Sequence, residues 1–307
     1  MFLVCGEALF DVFVGADDGH GALALKAVVG GSPFNVAVGL ARLAQPVALL
    51  AGVSTDVLGD KLARHLAEEG VARDYLVRRP EPTTLSLVGL GADGSPRYTF
   101  YGHRAADVSV TPDDLPVLGP QVRGLHFGSY ALVAPPAADA YAALAARAGE
   151  RLVTFDPNVR LTVEPDREVW RARIAAMLPF ATVVKVSEED LVSLWPGADH
   201  EALAQGWLEQ GPALVVVTRG ARGVVAFTRR GAVSAPGRTV DVVDTVGAGD
   251  SFQAALIAGL LERGVADNAA VVALPDDALA AILTRCCAAA AIVCGRRGAD
   301  LPRLAEL

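Results

Sequence analysis

The sequence predicts an α/β fold: one domain across residues 1–307, with a mostly parallel central sheet and a small β lid. Three observations carry this expectation. From about residue 123 onward, strand-like runs alternate with helical patterns, as right-handed βαβ crossovers require. The runs LVTF, TVVKV and ALVVV are almost continuously apolar, which suits parallel strands covered on both faces. Residues 75–110 instead hold short β-type runs without a helix-length apolar stripe, so they read as an accessory sheet.

The elements follow in order. FLVC opens the chain as a short strand, and a hairpin-like region follows with GADDGHG as its turn. SPFNVAVGLARLA reads as a helix, VALLAG as a strand and VLGDKLARHLAEEG as a second helix. TTLSLVGLG and PRYTFYG are strands joined by ADGS, so the lid is expected from about 11–29 and 75–107. Strand–helix pairs then repeat: GLHFGS with PPAADAYAALAARAG, RLVTFD with DREVWRARIAAML, ATVVKVS with EEDLVSLW. ALVVVTRG is the next strand, and GVVAFTRRGAVSA a strand pair. The late run ALAAILTRCCAAAAIVC is rich in Ala and broken by Arg285, which marks a core helix rather than a membrane span.

Composition narrows the function classes. The chain is 52% hydrophobic and 20% charged, enough to bury a large core. Its net charge of -8 argues against nucleic acid or an anionic membrane as partner, although local donors can still hold a small anion. Cys5, Cys286, Cys287 and Cys294 fit no paired zinc spacing and read as buried reduced thiols, which places the protein in a reducing, cytoplasmic compartment. MFLVCGEALFDV has no basic region, and Glu7 and Asp11 interrupt its apolar run, so it does not read as a signal peptide.

The chemistry concentrates at DTVGAGDSF, residues 244–252, followed directly by an apolar helix with Arg263 in its last turn and Gly264 as its stop. The first amides of such a helix have no intrahelical partner. Gly247, Ala248 and Gly249 add N–H groups with almost no side-chain bulk, which makes an anion site suited to phosphate. Asp250 beside them would repel a phosphate unless a hydroxyl lay between. An acid that accepts the hydroxyl proton while the amides hold the phosphoryl oxygens is a kinase arrangement. GxxxxGKS/T is absent, and GAGDSF lacks the third glycine of GxGxxG.

A second constellation is VVGGSPFNVAVGLARL, residues 28–43. Ser32 reads as the N-cap and Pro33 as the first helical residue. Asn35 enters an apolar helix in its first turn. It points either to nearby backbone or to ligand hydroxyls, with Gly30 and Gly31 allowing close approach. Asp11, just past the first strand, adds a carboxylate suited to a polyol.

These stretches resemble the ribokinase-like (PfkB) sugar kinases, within them the fructokinase and 2-keto-3-deoxygluconate kinase branch. DTVGAGDSFQAALI and GGSPFNVAVGLARL are similar to the family's two signatures, and DPNVR, VKVSEED and VTRGARG match between them in the right order. The resemblance spans essentially the whole chain. It implies a three-layer αβα sandwich and ATP with Mg²⁺, with K⁺ in some members. It makes Asp250 the catalytic base and Gly247, Ala248 and Gly249 the anion hole. Asp11, Gly30, Gly31 and Asn35 become sugar contacts, with Phe100 beside them. Arg160 of DPNVR becomes a basic residue near substrate or phosphate. Thr218, Gly220 and Gly223 match the nucleotide loop. Ser187 and Asp190 stand where relatives carry Asn and Glu, with Asp190 expected to order water on Mg²⁺. Asp244 and Val246 match monovalent-cation carbonyls. The family also implies a homodimer through the lid strands.

Two departures bear on the ligands. Gly102 stands where many relatives carry Arg, with Arg104 two residues later as a substitute. The missing guanidinium counts against a sugar acid. Cys287 replaces an Asn beside the adenine. The expected activity is therefore ATP-dependent phosphorylation of a ketohexose, foremost fructose. The alternatives are a 2-keto-3-deoxygluconate kinase, or a sugar-binding sensor without catalysis, which an intact GAGD argues against.

Overall fold

The computed structural model describes residues 1–17, 19–90 and 96–307; Asp18 in the hairpin turn and the ADGS joint lie outside the described residues. The strands are β1 (Phe2–Cys5), β2 (Leu9–Asp17), β3 (Leu23–Gly30), β4 (Val47–Ser54), β5 (Leu76–Arg79), β6 (Leu85–Leu90), β7 (Pro96–Tyr101), β8 (Gly124–Gly128), β9 (Leu152–Asp156), β10 (Val183–Ser187), β11 (Leu214–Thr218), β12 (Val224–Thr228) and β13 (Gly231–Ala235). The helices are α1 (Ser32–Arg42), α2 (Val57–Glu68), α3 (Ala137–Ala146), α4 (Arg167–Met177), α5 (Glu188–Leu194), α6 (His200–Leu208), α7 (Ala248–Glu262), α8 (Asn268–Ala273) and α9 (Asp276–Cys294).

Nine strands form the large sheet in the order β13-β12-β11-β10-β9-β8-β1-β4-β5. Within it only β12 runs against the others. Alternation along each strand splits the core in two. Phe2 and Val4 of β1 join α1, α2, α7 and α9 on one face. Leu3 and Cys5 join α3, α4, α5 and α6 on the other. This is the three-layer sandwich that the continuous apolar runs require, because each strand is covered on both sides. α9 is the one described helix long and apolar enough to cross a membrane. Here Leu279, Ile282, Leu283 and Cys286 are buried, and the helix packs on α7 and β13.

The second sheet has the order β3-β2-β6-β7. The sequence reading needs one correction at its boundary. Leu76–Arg79 does not belong to this sheet but pairs in parallel with β4 at the edge of the large one. The four residues LVRR carry no alternation that assigns them to either sheet, and only the register with β4 does.

The strand order places the site. β1 is followed by β4 on one side and neighboured by β8 on the other, so the crossovers diverge at the C-terminal ends of β1 and β8. Such a switch point leaves a crevice where ligands bind in open α/β sheets. Glu7 follows β1 and His126 lies on β8, with Asp156 ending the adjacent β9 and Lys185 next to it on β10.

Trp170 of α4 anchors the opposite layer; it is 1% exposed, and its indole N–H donates to the Glu164 carbonyl at 3.0 Å. Trp170→Ala is expected to destabilise the protein by about 3–5 kcal/mol through the cavity it leaves, seen as a lower urea midpoint with unchanged slope.

Candidate active site

Two helix N-termini meet at this crevice. α7 begins at Ala248, with Gly247 as its N-cap at φ 81°, in the left-handed region. A Cβ at Gly247 would also stand 2.6 Å from the Ala299 Cβ, so glycine is required twice over. The Ala248 N–H is turned to the Thr245 carbonyl at 3.2 Å, whereas the N–H groups of Gly249 and Asp250 take no carbonyl among the described residues. Among the described residues the Gly247 N–H also takes no acceptor, so the free donors of the turn are those of Gly247, Gly249 and Asp250, with Ala248 turned away. Nearly the whole circumference of α7 is buried, from Asp250 to Leu260, as its all-round apolar sequence implies.

α1 supplies the partners of Asp250. Ser32 Oγ donates to Asp250 Oδ1 at 2.6 Å, and Asn35 Nδ2 donates to Oδ2 at 2.8 Å. This corrects the capping expectation: the N-cap is Gly31, at φ 103°, and Ser32 is already inside the helix with its hydroxyl committed to the carboxylate. The first helical N–H, that of Ser32, goes instead to Glu7 Oε1 at 3.2 Å. Burial raises the Asp250 carboxyl above its usual range, while Ser32, Asn35, Lys185 and Arg160 oppose that rise.

The remaining sugar-side residues converge on the same point. Burial pushes Asp11 up to about 6 against its bond to Ser86, with Asp250 close enough to add to the rise and Arg160 close enough to oppose it. A Cβ at Gly30 would stand 2.4 Å from Asp11 Oδ2, so the carboxylate lies directly over that glycine. Arg160 is half-buried, and its Nη1 donates to the carbonyls of Asn158 and Val159. Phe100 packs edge-on against Tyr130 with centroids 5.8 Å apart, and faces Ser86 across β6 and β7. A cavity of about 420 Å³ opens between the small sheet and α1, bordered by Phe13, Val28, Phe34, Asn35 and Asp244.

Arg104 is not brought in. It is exposed, in a left-handed turn at φ 53°, and makes no hydrogen bond to a site residue. Gly102 is packed so that a Cβ would meet Thr84 at 2.9 Å, so an arginine there would have to displace Thr84.

Asp190 is tied to neighbouring backbone. Its Oδ1 accepts from the Val159 N–H at 3.0 Å and its Oδ2 from the Ser187 N–H at 3.4 Å. Ser187 caps α5 in return, accepting from the Asp190 N–H at 3.0 Å. The shorter acid thus clamps the DPNVR loop to α5 instead of facing open space. In the hairpin after β11, Gly220 faces open space, whereas Gly223 is locked against the Ala235 carbonyl. Cys287 is 7% exposed within the apolar cluster around α7 and α9. The Asp244 side chain accepts from the N–H groups of Val246 at 3.1 Å and Gly298 at 2.9 Å, tying the GAGD turn to the loop after α9.

Four residues at this crevice were not assigned to it from the sequence: Glu7, Asp156, Lys185, and Ser32, which reads there only as an N-cap. Lys185 Nζ pairs with Asp156 Oδ2 at 2.7 Å, both nearly fully buried. For Glu7 and Lys185 the signal was present as a charge inside an apolar run, in GEALF and TVVKV.

A crevice at a topological switch point, with a helix N-terminus aimed at a buried carboxylate and acid and amide groups opposite, defines a kinase of small hydroxylated substrates. The chain belongs to the pfkB family of carbohydrate kinases, whose sequence profile it matches over residues 3–305. It is a phosphotransferase that acts on a sugar hydroxyl, with the ribokinase-like fold. It is 38% identical over 280 residues to a fructokinase of Rhizobium leguminosarum bv. trifolii, covering 91% of this chain and 85% of the relative. It is likewise 38% identical over 285 residues to a fructokinase of Klebsiella pneumoniae, covering 90% and 89%. Among solved structures it is similar to the fructokinase of Xylella fastidiosa with bound ATP (TM-score 0.90, 29% identity, 99% and 96% of the two chains). It is also similar to a fructokinase double mutant of Vibrio cholerae O395 with fructose, ADP and potassium bound (TM-score 0.81, 28% identity, 97% and 94%).

Glu7 offers a direct test of the buried electrostatics. Burial raises its carboxyl from 4.5 to about 8, so the native state keeps a proton that the unfolded chain releases. That contribution to stability is full below about pH 4.5 and fades as pH rises through about 8. Glu7→Gln is expected to make the fall of unfolding free energy between these values shallower by about 1.4 kcal/mol per pH unit, measured by urea denaturation across pH.

Proposed function

We propose that this chain is an ATP-dependent fructokinase, with Asp250 as general base. One observation carries the reading: a buried carboxylate, oriented by Ser32 and Asn35, stands beside the unpartnered N–H groups of Gly249 and Asp250 at the start of α7. A sugar hydroxyl at Asp250 would give up its proton as the phosphoryl arrives. The N–H groups and the helix dipole would take the phosphoryl oxygens. Gly247 shapes that turn, and Ala248 leaves it uncrowded.

Asp11 over Gly30 takes sugar hydroxyls, and Gly31 keeps the backbone close. Asn35 has its amide nitrogen committed to Asp250, which leaves its carbonyl oxygen for the sugar. Phe100 walls the sugar, and Arg160 offsets the negative charge of the reacting groups. Thr218 and Gly220 receive the nucleotide on the open side of the hairpin that Gly223 holds. Ser187 fixes the neighbouring loop, and Cys287 offers adenine only an apolar wall. Mg²⁺ would enter with the nucleotide phosphates, with Asp190 ordering water on it. Bound Mg²⁺ neutralises charge on the transferring phosphates. The carbonyls of Asp244 and Val246 accept no N–H among the described residues, which leaves them for K⁺.

The small sheet acts as a lid that excludes water from the phosphoryl. Its outer strand β3 is an edge with Leu23 and Leu25 more than half exposed. Pairing of two lids into a homodimer would cover this edge. Leu85 and Leu87, by contrast, already pack against the core. The unpaired cysteines suit the cytoplasm.

Asp250→Asn is expected to lower kcat by about 10²- to 10⁴-fold while the fructose KM stays nearly constant. Near-normal turnover would sink the assignment. Fructose should exceed 2-keto-3-deoxygluconate in kcat/KM, because no guanidinium from 102–104 reaches the site. Sedimentation at micromolar concentration should give a dimer that Leu25→Lys weakens; a wild-type monomer would refute the lid pairing.

A further inference from the structure

The face of the large sheet beneath α7 is apolar except where the first turns of that helix cover it. There it turns polar: His126 on β8, Thr154 and Asp156 on β9, Lys185 on β10, with Gln253 of α7 above. Lys185 lies in register one step beyond the Phe155–Val184 pair, which sets its side chain beside Asp156. Its ammonium is 2.7 Å from Asp156 Oδ2. The same Nζ lies 3.2 Å from the position a Cβ would take on Gly249. It is therefore lodged directly under the turn whose free N–H groups form the anion site.

Stability alone does not account for this pair. Two charges buried at 5% and 2% side-chain exposure lose hydration that their attraction only roughly offsets, and an apolar pair would serve the core as well. The charges around it show where its field falls. Asp156 faces Lys185 from β9, Asp190 from α5 and Asp250 from α7, while Arg160 acts on Asp250 from the loop after β9. His126, on β8, is held neutral by burial and by Lys185 itself, so it does not compete as a cation.

We propose that Lys185 is a positioning residue of phosphoryl transfer: a buried ammonium, anchored by Asp156 and seated against Gly249, that holds the glycine turn in place and adds positive potential behind its N–H donors. It touches neither sugar nor nucleotide. It acts through Gly249 and through the field it places on the migrating phosphoryl, fixed before the reaction begins. Gly249 is then needed for a second reason besides donor access, since any side chain there would press on the ammonium. The inference rests on the kinase reading above.

The test is kinetic and spectroscopic. Wild-type turnover of fructose with ATP is measured first; its absence overturns both readings. Given turnover, Lys185→Gln is expected to lower kcat by about 10²-fold with fructose KM and ADP affinity within about threefold of wild type. Lys185→Arg, which keeps the charge, is expected to recover kcat to within about tenfold. A folded Lys185→Gln with kcat within about threefold of wild type overturns the inference and leaves the kinase reading intact. Unmodified protein decides if the variant fails to fold. The chain has three lysines, and Lys26 and Lys61 are exposed. With ¹⁵N-lysine labelling, the Lys185 ammonium resonance should shift when ADP, aluminium fluoride, Mg²⁺ and fructose are added together. A resonance that stays in place overturns the role.

Discussion

The hydrogen-bonded junction of Asp250 with Ser32 and Asn35 is the constraint on which the site depends. It joins two helices more than two hundred residues apart in sequence, and it does so at their N-termini. Each helix start leaves donors without partners. On α1 the first N–H is taken by Glu7. On α7 the N–H groups of Gly249 and Asp250 remain free beside a carboxylate whose two oxygens each accept one bond from α1 and keep room for another. The carboxylate is thereby fixed in orientation and held from protonation more firmly than burial alone would allow, which a general base requires.

Around this junction the molecule spends buried charge freely. Glu7, Asp107, Asp156, Lys185 and Asp250 are all buried, and most meet at the C-terminal ends of β1, β8, β9 and β10. Elsewhere the same strands are apolar on both faces. The contrast is physical: a buried polar group needs partners, and only a convergence of several elements supplies them. Asp107 illustrates the point away from the reacting centre, accepting from Thr84 at 2.6 Å and from the Tyr130 hydroxyl at the root of the small sheet. That network ties the second sheet to the body, beside Phe100 and Ser86.

The layers and the strand–helix alternation were legible because hydrophobic period is a local property. So were GAGD and the α7 helix, whose glycine and alanine content has few other uses. The accessory strands β6 and β7 were legible in TTLSLVGLG and PRYTFYG, whereas Leu76–Arg79, inside the stretch expected for the lid, joins the large sheet, and this is decided by pairing with β4. Ser32 illustrates another limit. Its place before Pro33 fits an N-cap, yet Gly31 takes that position and the hydroxyl turns to Asp250. Asp190, expected to order water on Mg²⁺, also accepts from the Val159 amide, a contact that its local motif does not announce. In each case the partner is remote in sequence, so spacing gave no hint of it.

The sequence by itself determined the class of fold, the glycine turn at the start of α7, the acid beside it and the family, because these depend on backbone freedom, period and residue order within short windows. Tertiary structure alone decided which groups face that acid: Ser32 and Asn35 from α1, Lys185 and Asp156 from beneath. Hydrogen bonds and ion pairs form between whatever the packed sheet and helices bring within about 3 Å, and that proximity is set by register and crossover, which no local stretch encodes.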